Sequence, residues 1–407
     1  MLIPIMAGIH DQKGGLTPAQ QAAITKVAPA VDFTREVKLL TTYFGRYPCI
    51  GCGGPTKPLW CNGGLPQLAN YTIHKAMMER DMASAIPDPN FAGYIVHDYE
   101  AWSPPWGMAS AVYRNASIAL ARAQSPPGTP ESAIEALAER SFDTAALEFL
   151  TFTINTTKAL RPKAAGVGFY GYPHHTYWGN ETQQSVYNDA LMPLWRAQTA
   201  LHPSIYLPYG TKPTCTGPGC ATKQMQDAWV DGGMNEAARI SQKLVDEGGA
   251  ARPILPYSWY RYHARRSSAE HLIATKALRR TATAWTLIVA QCSAILRQDH
   301  EPKGLQLISD CDTTLEFVRP FNVSGVQAVI IWGNEANSTV FQEVIKWFGT
   351  ESAIFGGDTT SHMVAGSSSK ISMETLPPRS ITSNTGRREE GRIARDATIP
   401  PWQACGL

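Results

Sequence analysis

Short apolar or β-branched runs alternate with segments of helical period along most of the chain. The runs Leu40–Phe44, Ala92–His97, Gly166–Tyr170, Ser204–Leu207, Ile254–Trp259 and Gln327–Trp332 have the length and residue types of strands. Helical patterns fill the intervals: Leu68–Ala85, Ala109–Arg122, Pro130–Leu160, Tyr187–Ala200 and Asp227–Glu247. This alternation predicts an α/β protein with parallel strands and crossover helices. Several strands end in polar or aromatic residues, among them "HDYE", "YGYPHH", "YLPYG" and "WYRYH". A (β/α) barrel, which gathers its site at the C-terminal ends of its strands, has this pattern. An open doubly wound sheet is the structural rival, but no glycine-rich phosphate loop follows a strand.

The segment "GYIVHDYEAWSPPW" (93–106) poses the chemical question. In an extended chain residues i and i+2 share a face, so Asp98 and Glu100 project side by side with Tyr99 opposite. Neighbouring carboxylates repel, and one of them should hold its proton near neutral pH. Trp102 and Trp106 are expected to wall the pair. Taken alone, such a D-x-E is more often a solvated strand end than an acid–base pair.

Composition narrows the classes. Hydrophobic residues make up 43% and charged residues 17%, and the formal net charge is +2. That balance fits a globular protein and argues against a dedicated nucleic-acid binder. The longest apolar stretch, Thr283–Leu296, is too short and interrupted to span a bilayer. Cys49, Cys52 and Cys61 lack a fourth zinc ligand at the usual spacing, whereas "CTGPGC" (215–220) favours a local disulfide in a secreted protein. Sequons at Asn70, Asn115, Asn155, Asn180, Asn322 and Asn337 favour the secretory route, although the start of the chain lacks the features of a signal peptide. The adjacent His174 and His175 invite a metal reading, but paired loop histidines are usually unliganded.

Six blocks together carry a family likeness. "NGGLPQLAN" (62–70), "GYIVHDYEAWSPPW", "GFYGYP" (168–173), "ALHPSIYLP" (200–208), "LPYSWYRY" (255–262) and "AVIIWGN" (328–334) resemble the hyaluronidases, glycoside hydrolase family 56, in order and approximate spacing. The resemblance covers roughly residues 39–348. It implies a distorted (β/α), TIM-like barrel and an endo-β-N-acetylhexosaminidase acting on β-1,4 bonds of hyaluronan or chondroitin. It implies Glu100 as the acid/base and Asp98 as the group that orients the substrate acetamide. Tyr170, Tyr206 and Trp332 would line the cleavage subsite, with Tyr260 and Gln67 as further substrate-binding candidates. No metal or cofactor is implied. The sugar's own acetamido oxygen, not an enzyme carboxylate, would be the nucleophile.

The chain departs from the family pattern in places. Ala101, Trp102 and Ser103 follow Glu100, so the usual arginine is missing at Ser103. His174, His175 and Thr176 stand where the family carries a cysteine, and His263 follows "WYRY" where an acidic or amide residue is common. The family's first strand motif is not visible, although Leu2–Ile9 lies at a suitable distance to replace it. The expected organisation is a hydrolase domain over 1–357 and a disordered tail over 358–407, rich in Ser, Thr, Pro and Arg. Residues 266–305 read as an insertion, either a lid or a gene-model error. The expected partner is a glycosaminoglycan, with no nucleic acid and no membrane span, for a monomer in a secreted or lysosome-like location. An inactive glycosaminoglycan-binding protein and a hydrolase of chitin-like chains are the alternatives.

Overall fold

The computed structural model describes residues 5–9, 37–40, 44–51, 60–175, 181–207, 223–259, 320, 323–333 and 365–367. Its strands are β1 (Ile5–Ile9), β2 (Val37–Leu40), β3 (Cys49–Ile50), β4 (Trp60–Cys61), β5 (Tyr94–His97), β6 (Gly166–Phe169), β7 (Tyr257–Trp259), β8 (Val329–Gly333) and β9 (Ala365–Ser367). The helices are α1 (Tyr71–Ala85), α2 (Ala111–Gln124), α3 (Glu131–Leu160), α4 (Glu181–Ala190), α5 (Met192–Ala197) and α6 (Lys223–Asp246). Seven strands form one sheet in the order β6-β5-β2-β9-β1-β8-β7, and every pairing within it is parallel. The short β3–β4 pair is antiparallel. Among the described residues, no helix is long and apolar enough to cross a membrane.

The segment 201–205 touches both edges of this sheet. His202 bridges Tyr170 just beyond β6, while Leu201 and Ser204 bridge Ile254 and Tyr257 on the β7 side. The contacts remain isolated bridges instead of the continuous strand expected over Ser204–Leu207. Pro203 explains this locally, because proline has no N–H to give to a ladder. Thr199 and Gln198 supply part of the missing pairing through side chains: Thr199 Oγ1 accepts from Val167 N at 2.8 Å and Gln198 Oε1 from Phe169 N at 2.9 Å.

Three other expectations shift. The strand expected at Leu40–Phe44 lies earlier, at Val37–Leu40, in register with Tyr94–His97. The single helix expected over Tyr187–Ala200 is two, α4 and α5, with Pro193 in the first turn of the second. Pro193 lacks the N–H that a continuous helix would need, and it suits a helix start. Within the 358–407 segment, expected to be disordered, Ala365–Ser367 instead pairs with both β1 and β2. The strand expected over Leu2–Ile9 is present as Ile5–Ile9, while the 266–305 insertion lies outside the described residues.

The helix α3 backs the sheet with one continuous buried stripe. Ile134, Ala138, Phe142, Ala146, Phe149, Thr153 and Thr157 recur at steps of three or four and are all buried, as an amphipathic helix requires. Two of its hydroxyls reach buried imidazoles, Thr153 Oγ1 to His74 Nε2 at 3.0 Å and Thr157 Oγ1 to His97 Nε2 at 2.8 Å. Each hydroxyl donates its own proton one turn back along the helix, to Phe149 O and Thr153 O. It must therefore accept from the ring, which places a proton on Nε2 of both histidines, and burial keeps both rings neutral. The free Nδ1 of His74 accepts from Arg46 N at 2.9 Å, and that of His97 faces the Tyr47 hydroxyl at 3.3 Å.

Candidate active site

The strand β5 delivers the acidic pair. Asp98, one residue past its end, still donates its amide to Leu40 O at 2.8 Å. The alternation then continues as the sequence predicts: Asp98 is half-buried, Tyr99 buried and Glu100 exposed. Tyr99 turns away from the carboxylates, donates its hydroxyl to Pro48 O and stacks on Tyr47 with ring centroids 4.0 Å apart.

The two tryptophans do not wall the acids. Trp102 is 2% exposed, donates to the same Pro48 carbonyl at 2.7 Å, and packs edge-on against Phe142 and Phe149. Trp106 packs on Phe142, and its amide donates to Asp143 Oδ1 at 2.5 Å. Both anchor the loop from behind, because strand alternation stops once the chain leaves β5.

Four tyrosines occupy the role expected of those tryptophans. Tyr170 follows β6, and its hydroxyl lies 3.2 Å from Ser204 Oγ. Burial, then the negative charge of Glu100, hold the Tyr170 hydroxyl well above the ordinary phenol range, with Asp98 adding to the shift. Tyr206 is raised first by burial and next by Tyr170, to which it is hydrogen-bonded; Asp98 again contributes. Burial and then Asp98 raise Tyr257. Tyr47 is raised chiefly by burial, with Asp98 a smaller cause. The rings interlock, Tyr170 lying 5.0 Å from Tyr257 and 5.9 Å from Tyr206. All four phenols therefore keep their protons, and each feels the negative charge of the acidic pair.

The predicted residues thus fall into four groups. Asp98, Glu100, Tyr170 and Tyr206 come together. The backbone of Trp332 sits near the end of β8, paired with Trp259 of β7 and Gly8 of β1. Gln67 stands apart on the turn before α1, where its Nε2 donates to Ser117 Oγ at 3.0 Å. Tyr260 lies outside the described residues. Ser204, Tyr257 and Tyr47 escaped the sequence reading, although Ser204 lies two residues before Tyr206 in the sequence. Ser103, standing in the place of the family's arginine, hydrogen-bonds the hydroxyl of Tyr172.

Cys49 is disulfide-bonded, so its sulfur is not a zinc thiolate. Among the described residues no group of three His, Cys, Asp or Glu side chains could hold a metal ion.

This parallel α/β scaffold has solved counterparts. It is similar to the crystal structure of bee venom hyaluronidase, at a TM-score of 0.56 and 23% identity, covering 79% of this chain and 85% of that one. The same enzyme in complex with a hyaluronic acid tetramer matches with a TM-score of 0.62 and 21% identity, covering 85% and 98%. The sequence model of the hyaluronidase family matches residues 36–284, more than half of the chain, and the chain belongs to that family.

Its relatives include human hyaluronidase-1, 36% identical over 229 residues, which are 53% of this chain and 48% of that protein. The hyaluronidase of Polistes annularis is 32% identical over 212 residues, 49% and 53% of the two chains. A Caenorhabditis elegans chondroitin hydrolase is 36% identical over 176 residues, 40% and 37%. The chain spans about half the length of the curated relatives it matches.

Proposed function

We propose that the protein is an endo-β-N-acetylhexosaminidase that cleaves β-1,4 bonds of hyaluronan or chondroitin with retention of configuration. The observation that carries this reading is the convergence of Asp98 and Glu100 with the Tyr170 and Tyr206 hydroxyls at the ends of parallel strands. Relatives named as hyaluronidases and as a chondroitin hydrolase support this substrate class. The segment 201–205, bridging both edges of the sheet, supports closure into a distorted (β/α) barrel, whose C-terminal mouth would hold this site.

In the proposed mechanism, Glu100 donates its proton to the glycosidic oxygen as that bond to the anomeric carbon breaks. The substrate's acetamido oxygen forms the new bond to the same carbon, giving a cyclic oxazolinium ion that keeps its N–H, and a free sugar hydroxyl. Asp98 accepts from the acetamido N–H and stabilises the positive charge that develops on that group. The Tyr170 and Tyr206 hydroxyls, kept protonated, hydrogen-bond the acetamido group, and Trp332 contributes apolar surface to the subsite. Water then attacks the anomeric carbon, giving its proton to Glu100 as the oxazolinium ring reopens to the acetamide. Two inversions leave the configuration unchanged.

The test is the release of reducing ends from hyaluronan and from desulfated chondroitin by wild type and Glu100→Gln. Turnover by wild type alone is expected, with polymer binding retained in the variant. Equal turnover by both would sink the mechanism. Binding without turnover by either would leave a glycosaminoglycan-binding protein. The sequons support a secretory destination for such an enzyme, and a monomer with a single hydrolase domain that includes β9 is the proposed organisation.

A further inference from the structure

Glu100 lies on the exit loop beyond β5, so its position depends on what grips that loop. From behind, Tyr99 and Trp102 bind Pro48 O and Trp106 binds Asp143. From the other side the grip runs through α4. The Tyr187 hydroxyl lies so close to Gly107 that a Cβ there would stand 2.2 Å from it. Ser103 bonds the hydroxyl of Tyr172, whose ring packs 4.0 Å from that of His174.

His174 is in turn held by one wholly buried side chain. Asn188 accepts from His174 N at 3.2 Å and donates to His174 O at 3.0 Å. Its second amide proton goes to Glu236 Oε1 at 2.9 Å. Arg239 clasps Glu236 at 2.7 and 2.8 Å and reaches Asp189 at 2.8 Å, where Lys243 joins at 2.9 Å. The Asn188 carbonyl accepts from Trp195 Nε1 at 2.6 Å. An amide that pairs with both backbone groups of one residue acts as a strand neighbour would, and both of its donors and its oxygen are engaged.

We propose that Asn188 is a positioning residue for this active site. Backed by Glu236 and Arg239, it fixes the loop after β6, and through Tyr172–Ser103 the loop that carries Glu100. The inference rests on the hydrolase reading above for its catalytic consequence, but not for its structural one. A misplacement of about 1 Å in reacting groups can cost on the order of a hundredfold in rate.

The experiment compares wild type with Asn188→Leu, Asn188→Asp and Glu236→Gln by two readouts. The first is hydrogen exchange at the His174 amide. The second is kcat and KM on the better polymer, per folded molecule. Asn188→Leu should speed exchange at His174 at least about tenfold and lower kcat about tenfold or more, with KM changed less than about threefold. Asn188→Asp retains the acceptor for His174 N but loses both donors and faces Glu236; adding Glu236→Gln returns a donor and should restore part of kcat. If Asn188→Leu does not fold, the Asp variant and its rescue carry the test. A lowered Tm with unchanged kcat, or no rescue by the second change, would overturn the positioning role. Wild type inert on both polymers would refute the hydrolase reading instead, and His174 exchange together with polymer binding would then decide the clamp.

Discussion

Acidification is the perturbation to which this fold should be most sensitive. Burial lowers His74 and His97 to about 3 and His174 and His202 to about 4. The hydrogen bonds agree with burial. Protonating His74 would aim a new N–H at the Arg46 amide, itself a donor, and protonating His97 would make the Tyr47 hydroxyl turn. In His202, Nδ1 faces Leu255 O at 3.2 Å, so a proton on Nε2 would meet no acceptor among the described residues.

These folded-state values lie below the unfolded histidine value of about 6.5, so the unfolded chain binds more protons and stability falls as pH falls. The contribution is fully present above about pH 6.5 and is lost progressively toward pH 3–4. Each group costs about 1.4 kcal/mol between about pH 8 and pH 5.5, and four cost about 6 kcal/mol, set against a typical stability of about 5–15 kcal/mol. Asp143 opposes them. It is raised to about 6, mainly by burial, so it loses stability as pH rises from about 4 to 6, but its partial exposure mutes the effect.

The assay is urea unfolding at several pH values between about 8 and 5.5, above the ordinary carboxylate range, with His97→Gln in parallel. The unfolding free energy should drop by several kcal/mol across the window, and the variant's slope should be shallower by nearly one proton at the acid end. A drop of less than about 1 kcal/mol in wild type, or parallel slopes, would refute the neutral buried-histidine account.

Three more outcomes follow from the geometry. Asp98→Asn should lower kcat at least about a hundredfold in the reducing-end assay, and an unchanged rate would remove the acetamide-orienting role. Gly168→Ala places a methyl 2.6 Å from Ala200 O and 2.7 Å from both Gln198 Oε1 and His202 Cδ2, so a loss of about 1–3 kcal/mol in urea unfolding is expected; no loss would mean the neighbours yield freely. A chain ending at residue 357 lacks β9 and its pairing with β1 and β2, and its Tm should fall, an unchanged Tm showing that β9 adds nothing to the sheet.

Legibility followed the range of the interaction. The alternation through Tyr94–Glu100 is local, and it alone placed Asp98 and Glu100 on one face and Tyr99 on the other. Beyond Glu100 that period no longer applies, which is why Trp102 was misassigned to the site when it belongs to the core. Pro193 and Pro203 were visible as interruptions, yet their effect depended on neighbours far along the chain. No pattern in the sequence pairs His97 with Thr157 or Asn188 with Glu236, since such partners meet only when the helices dock. The insertion of Ala365–Ser367 between β1 and β2 is the extreme case, a contact across most of the chain.

The two hydroxyl–imidazole pairs, His74 with Thr153 and His97 with Thr157, constrain how the sequence can change. Losing either hydroxyl strands a buried N–H, and losing either ring leaves a hole beside a buried oxygen, at about 1–3 kcal/mol for each unsatisfied group. An apolar pair of similar volume would serve as well as the polar one, but no single substitution reaches it without passing through a weaker protein. Homologues are therefore expected to hold both partners or neither, and to have crossed between the two states by paired or compensated changes.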